Sequence, residues 1–282
     1  MSDATRVAIV GLGGIGGSAA LKLGQRGASP IGYASDDADR RGAVAAGLRV
    51  ADSLRAAVTD VDLVLIAVPL DQVAPVVEEV LAAAPGSATV LHAAGLQRPH
   101  ATRLAPAAAG RVIGTHPLAG TELSGFGAAS ADLFLGATVY VEPRGTRRMR
   151  EDAELFWSMA GAKRIEYRDA ADHDDLMAAV SHVPQLVATA LGATLAYSNI
   201  PRALLGPGGR DMTRLAASPW SMWKPLLGAT PGRTLAMLES IETELRDIRE
   251  EIAKGTLDEA AISWSVARGW ALEKPRDGEP AA

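Results

Sequence analysis

Short, uninterrupted apolar runs recur through the first half of the chain, separated by stretches of helical length. RVAIV (6–10), SPIGYAS (29–35), VDLVLIAVP (61–69), ATVLHAA (88–94), GRVIGTHP (110–117) and GATVYVEP (136–143) each read as a strand. A helix to about Arg26, another over DDADRRGAVAAGL and a third over LDQVAPVVEEVLAAA fall between them. Strands without polar alternation are buried on both faces, so this pattern predicts a doubly wound α/β domain with a parallel sheet. Past about residue 168 the pattern becomes helical. Residues 170–198 predict one long helix, kinked by Pro184 near Ser181 and His182. Residues 231–254 carry Leu235, Leu238, Ile241, Leu245, Ile248 and Ile252 at the spacing of an amphipathic helix. A shorter helix follows around 256–270, and EKPRDGEPAA reads as a frayed tail. Wide apolar faces on such helices pair across a dimer, so the expected domains are 1–168 (α/β) and 169–282 (all-helical, dimerising).

Composition narrows the function without naming it. The 282 residues are 48% hydrophobic and 22% charged with a formal charge of −5, which fits a globular protein and offers no basic stripe for nucleic acid. Arg147, Arg148 and Arg150 cluster in what reads as a solvated turn. Cysteine is absent, which removes disulfides and thiolate chemistry. The apolar run LVLIAVPL is eight residues, too short for a bilayer. The first strand starts too early to leave room for a signal peptide, so a cytoplasmic protein without membrane contact is expected.

Gly11, Gly13 and Gly16 form G-x-G-x-x-G between the first strand and first helix. The first glycine permits a tight turn, the second lets a pyrophosphate approach, and the third lets helix and sheet pack closely. This is a Rossmann-type dinucleotide signature, with Gly14, Ile15, Val68 and Pro69 as further expected cofactor contacts. An acid usually ends the second strand and holds the ribose of NAD. Here that place is Ala34, and Asp36 falls two positions late. Ser35, Arg40 and Arg41 favour NADP, although exposed helix charges are the other reading of the two arginines.

GTHPLAGTELSG (114–125) is too rich in glycine and proline for a regular element and reads as a binding loop that presents His116. Together with VGLGGIGGS, HDDLMAAVSHVP and GRDMTRLAASPWSMW, in that family's order, it resembles the prephenate and arogenate dehydrogenases over roughly residues 6–227. The resemblance implies NAD(P)-dependent oxidative decarboxylation of a cyclohexadienyl carboxylate by a homodimer. It makes His116 the catalytic acceptor of the hydroxyl proton, Arg214 the substrate-carboxylate ligand and His182 a substrate contact. Glu122 and Asp211 match a gate at the pocket entrance, and Trp223 an aromatic wall. Read from the residues alone, Arg214 is a surface ion pair, His182 a satisfied core histidine and Trp223 plain core.

The match departs from the family beside the chemistry. Gly95 stands where a serine is usual, Gln97 replaces a lysine, His92 an aspartate and Gln185 a second histidine. Ser124, from the other loop, is the candidate for a substitute hydroxyl. Clustered changes leave room for an amino-substituted or otherwise modified prephenate analogue, for a reductase of β-hydroxy acids or imines on the same architecture, and for a cofactor-binding non-enzyme.

Overall fold

The computed structural model describes residues 5–98, 110–120, 123–229 and 231–273; Glu122 and residues 274–282 of the expected frayed tail lie outside these. Eight strands pair among the described residues: β1 (Val7–Val10), β2 (Ile31–Tyr33), β3 (Arg49–Val50), β4 (Leu63–Ile66), β5 (Thr89–His92), β6 (Val112–Pro117), β7 (Thr138–Val141) and β8 (Arg164–Tyr167). They form one sheet in the order β3-β2-β1-β4-β5-β6-β7-β8. The order reverses beside β1, which pairs in parallel with both β2 and β4. A crevice therefore opens at the carboxyl ends of these strands, where open α/β sheets bind ligands.

Alternation along each strand builds two cores. Ile9, Leu63, Leu65, Leu91 and Ile113 point to one face, where they meet Leu23 of α1 (Gly14–Gln25), Ala43 of α2 (Asp37–Ala45), and Phe156 and Trp157 of α5 (Arg147–Ala160). Ala8, Val10, Val64, Ile66 and Val90 point to the other, against α3 (Leu54–Val58) and Val73, Val77 and Val80 of α4 (Leu70–Ala83). Each such leucine or valine contributes about 1.5–3 kcal/mol by leaving water.

Four features differ from the sequence reading. β7 runs antiparallel to β6, with Thr115 opposite Val141. β3 and β8 are too short or too polar to show an apolar run. The expected arginine turn is instead the first turn of α5, capped by Thr146 and tied by Arg147–Glu151 and Arg148–Asp152 pairs four residues apart. His116 lies on β6, because the strand continues through the histidine to Pro117 before the glycine-rich segment leaves it.

After β8 come α6 (Ala170–Met177), a π turn (Ala178–His182), α7 (Val183–Tyr197), α8 (Pro207–Thr213) and α9 (Trp220–Ala229). The π turn is the expected disturbance near Pro184, whose missing N–H leaves a carbonyl one turn earlier without its helical donor. The run 170–197 is long and apolar enough to cross a membrane by length and composition, with 33% of its most apolar window buried. The chain packs as two compact units, Met1–Thr230 and Pro231–Ala282, so α6 to α9 belong with the α/β layers. In the second unit, α10 (Pro231–Lys254) turns through Gly255 into α11 (Asp258–Ala271).

Candidate active site

At the end of β1 the chain turns through Gly11 with φ +94°, a conformation that side chains rarely adopt. A Cβ on Gly11 would meet the Ala67 carbonyl oxygen at 2.2 Å, and one on Gly16 would meet the Gly11 carbonyl oxygen at 1.9 Å. These are backbone contacts, so no side-chain movement relieves them. Gly13 caps α1 without a side-chain hydrogen bond. The first N–H groups of the helix are thus left for an anionic ligand, with the positive end of the dipole behind them. The turn fits a dinucleotide pyrophosphate.

A cavity of about 500 Å³ runs from this turn to the second half of the unit. Gly14 and Ile15, Val68 and Pro69 beyond β4, Gly95 beyond β5, His116 on β6, Ser124, His182 in the π turn and Trp223 on α9 all line it. His182 meets Trp223 edge to face at 5.9 Å. Burial holds the His182 imidazole below its ordinary pKa. Other expected site residues lie elsewhere. Asp211 and Arg214 are exposed on α8 and the short 3-10 turn after it (Arg214–Ala217), away from this lining. Ser35 is exposed, and Arg40 lines a separate cleft with Arg41, Val44 and Asp52, with Nη1 3.8 Å from Asp37.

Behind His116 stands a chain of hydrogen bonds. Its Nδ1 is 3.0 Å from His173 Nε2, and His173 Nδ1 is 2.8 Å from Asp174 Oδ1. Asp174 is 1% exposed, yet its oxygens also accept the backbone N–H groups of Gln97 (2.8 Å) and Arg98 (2.9 Å). A buried carboxylate is tolerated where donors of this kind surround it. With the carboxylate taking the Nδ1 proton of His173, Nε2 of His173 accepts from His116 Nδ1. The bare Nε2 of His116 is then left at the cavity. Burial, followed by His173, pushes the His116 pKa down to about 3, so its ring is neutral near neutral pH.

The departures from the family pattern surround this chain. A Cβ on Gly95 would lie 3.9 Å from His116 Nε2 and 3.2 Å from Leu226 Cδ2, so a hydroxyl one bond further out would reach the histidine. Gln97 is buried and donates its amide to the carbonyls of Ala94 (2.9 Å) and Thr115 (3.3 Å), fastening the ends of β5 and β6. His92 is buried on β5, its carbonyl accepting from the Thr115 hydroxyl at 2.8 Å. Gln185 is turned to the Leu215 carbonyl at 2.8 Å. Ser124 lines the cavity with an exposed side chain.

Residues 19–166 match the family model described as prephenate dehydrogenase, nucleotide-binding domain, and 169–262 match prephenate dehydrogenase, dimerization domain. The chain belongs to the prephenate dehydrogenase family. It is an NAD(P)-dependent dehydrogenase. A cyclohexadienyl dehydrogenase of Zymomonas mobilis is 30% identical over 266 residues, 88% of each chain. A prephenate dehydrogenase of Bacillus subtilis is 26% identical over 97% of this chain and 76% of its own. The solved prephenate dehydrogenase of A. aeolicus, in complex with hydroxyphenyl propionate and NAD+, superposes with a TM-score of 0.84 at 24% identity, covering 95% of this chain and 97% of that one.

In this member of the prephenate dehydrogenase family, sequence reasoning missed His173 and Asp174. Their signal was the buried face Ala170, His173, Asp174 and Met177 on α6, spaced as one side of a helix, with a histidine and a carboxylate where apolar residues belong.

Proposed function

We propose that this enzyme oxidatively decarboxylates a prephenate-like cyclohexadienyl acid, with His116 as the residue that takes the hydroxyl proton. The hydrogen-bonded chain Asp174–His173–His116 ending in the cavity carries this reading. The glycine turn would hold the pyrophosphate of a dinucleotide, which would supply the hydride acceptor when bound. As the ring carbon loses its hydride, its hydroxyl becomes strongly acidic, and even a weakly basic Nε2 takes the proton. The imidazolium so formed is stabilised through His173 by the Asp174 carboxylate. Loss of the ring carboxylate as carbon dioxide returns an electron pair to the ring and makes it aromatic. His116 then hands its proton back to the phenolic oxygen, so no proton is consumed overall. His182 and Trp223 wall the substrate end of the cavity. Ser124 is the hydroxyl proposed to face the substrate from the glycine-rich segment.

The reading extends to a homodimer working in the cytoplasm. Leu235, Leu245 and Ile252 on α10, and Ile262, Trp264 and Trp270 on α11, are exposed on a unit of two helices. Such a unit is too small to bury its own apolar face, and a second copy would cover it. Sedimentation of the purified protein at twice the chain mass checks this.

The deciding experiment follows absorbance at 340 nm with prephenate, arogenate or 4-amino-4-deoxyprephenate, each with NAD and NADP, for the wild type and His116→Asn. Turnover of one substrate that falls about 10²–10⁴-fold in the variant supports the proposal. Turnover that survives the substitution removes His116 from the chemistry.

A further inference from the structure

The end of β2 is where this cofactor site lacks its expected carboxylate. Ala34 is 3% exposed and apolar, and Asp36 is committed to capping α2, accepting from Ala38 N and Asp39 N. Asp39, one turn into the helix, faces the glycine turn. Its Oδ2 is 4.0 Å from a Cβ built on Gly13, the second glycine of the turn. Its Oδ1 accepts the Phe126 backbone N–H at 2.6 Å. The Phe126 ring lies against α1 and α2 so closely that a Cβ on Gly17 or Gly42 would meet it at 2.9 or 2.7 Å. The segment from Ser124 to Ala128, which lines the cavity, is therefore fastened across both helices of the glycine turn.

Resting on the reading of that turn as a dinucleotide site, we propose that Oδ2 of Asp39 receives the ribose hydroxyls at the adenosine end of the cofactor and selects NAD over NADP. A vicinal diol donates to a carboxylate, whereas a 2′-phosphate beside it meets like charge at short range. The arginines that would offset this repulsion line the cleft on the β3 side of α2, with Arg40 near Asp37. The same carboxylate holds the substrate segment through Oδ1, so cofactor and substrate share one side chain.

Binding of NADH and NADPH to the full-length protein, followed by nucleotide fluorescence, tests the proposal in wild type, Asp39→Asn and Asp39→Ala. The wild type should bind NADH at least about tenfold more tightly than NADPH. Asp39→Asn keeps an acceptor for Phe126 N but loses the charge, so it should weaken NADH, strengthen NADPH and shrink the ratio about tenfold. Asp39→Ala should also raise the KM for the cyclohexadienyl substrate, because the segment loses its tie. An equal loss for both nucleotides would make Asp39 a structural latch only and overturn the assignment, as would a wild type that prefers NADPH. Binding of neither nucleotide by a folded wild type would overturn the dinucleotide reading itself.

Discussion

The two ends of the cavity achieve recognition by different physics. At the glycine turn the decisive property is absence: Gly11 and Gly16 have no Cβ, and Gly13 no capping side chain. At the histidine end it is connection, since Asp174, His173 and His116 each depend on the next for proton placement. A site made of missing atoms is local and steric. One made of hydrogen bonds is shared between two elements, β6 and α6, and its last link is far from the ligand.

The connected end should break most severely. Asp174→Asn keeps the volume and the acceptor for the Arg98 N–H, but an amide nitrogen at the Oδ1 position donates to His173 Nδ1 and leaves the Gln97 N–H without its acceptor. His173 then carries its proton on Nε2 and donates to His116, which leaves the His116 proton on the cavity side. We expect kcat to fall by about 10²–10⁴-fold, with KM for the substrate and NADH affinity nearly unchanged. Steady-state kinetics and nucleotide binding on the same preparation check this, and a parallel rise in KM would assign Asp174 to folding of the pocket instead.

The steric end should break next, and differently. Gly16→Ala sets a methyl group 1.9 Å from the Gly11 carbonyl oxygen, so turn and helix must move apart. NADH affinity should drop by about 10–100-fold, the equivalent of 1–3 kcal/mol of overpacking. The pH dependence of kcat should stay as in the wild type, because the histidine chain is untouched. A pH profile that shifts together with the affinity would mean that the two ends are coupled.

The same contrast decides what could be read from the chain. The glycine spacing, the apolar strands and the interruption near Pro184 are local signals, and the structure has them where expected. His116 was legible too, although it sits on a strand and not on a loop, because Pro117 ends β6 after it and not before. His173 and Asp174 were not legible as functional: their role exists only where α6 crosses the end of β5, 77 positions from Gln97 in the chain. Asp39 escaped for a similar reason, since its partner Phe126 is 87 residues away. Arg40, the sequence candidate for a 2′-phosphate, lines a cleft with Arg41, Val44 and Asp52 and not the cavity at the glycine turn.

Stability offers a gentler probe of the connected end. His116 has a folded pKa of about 3, below the 6.5 of an unfolded histidine, so between these values the unfolded chain binds a proton that the native one refuses. Native stability is therefore complete above pH 6.5 and declines as the pH falls, by about 1.4 kcal/mol per pH unit for one proton. His182 adds to the decline with the same sign. Urea unfolding at pH 7 and pH 5 should show a smaller difference for His116→Asn than for wild type. Equal differences would place the His116 ring in contact with water.

The smallest expected effect comes from restoring what the family pattern has and this chain lacks. Gly95→Ser would set its Cβ 3.2 Å from Leu226 Cδ2, a flexible end that gives way by a few tenths of an ångström, and its hydroxyl within reach of His116 Nε2. For a substrate that bears a ring hydroxyl, the added group bridges that hydroxyl and the histidine. One hydrogen bond of this kind should raise kcat/KM a few-fold, about 1 kcal/mol, with no change in nucleotide affinity. A fall of similar size would mean that the space beside Gly95 is filled by the substrate itself, through a ring substituent larger than a hydroxyl. The direction of change thus reports on the substrate: a gain marks a lost contact, a loss marks a pocket reshaped around a different ring.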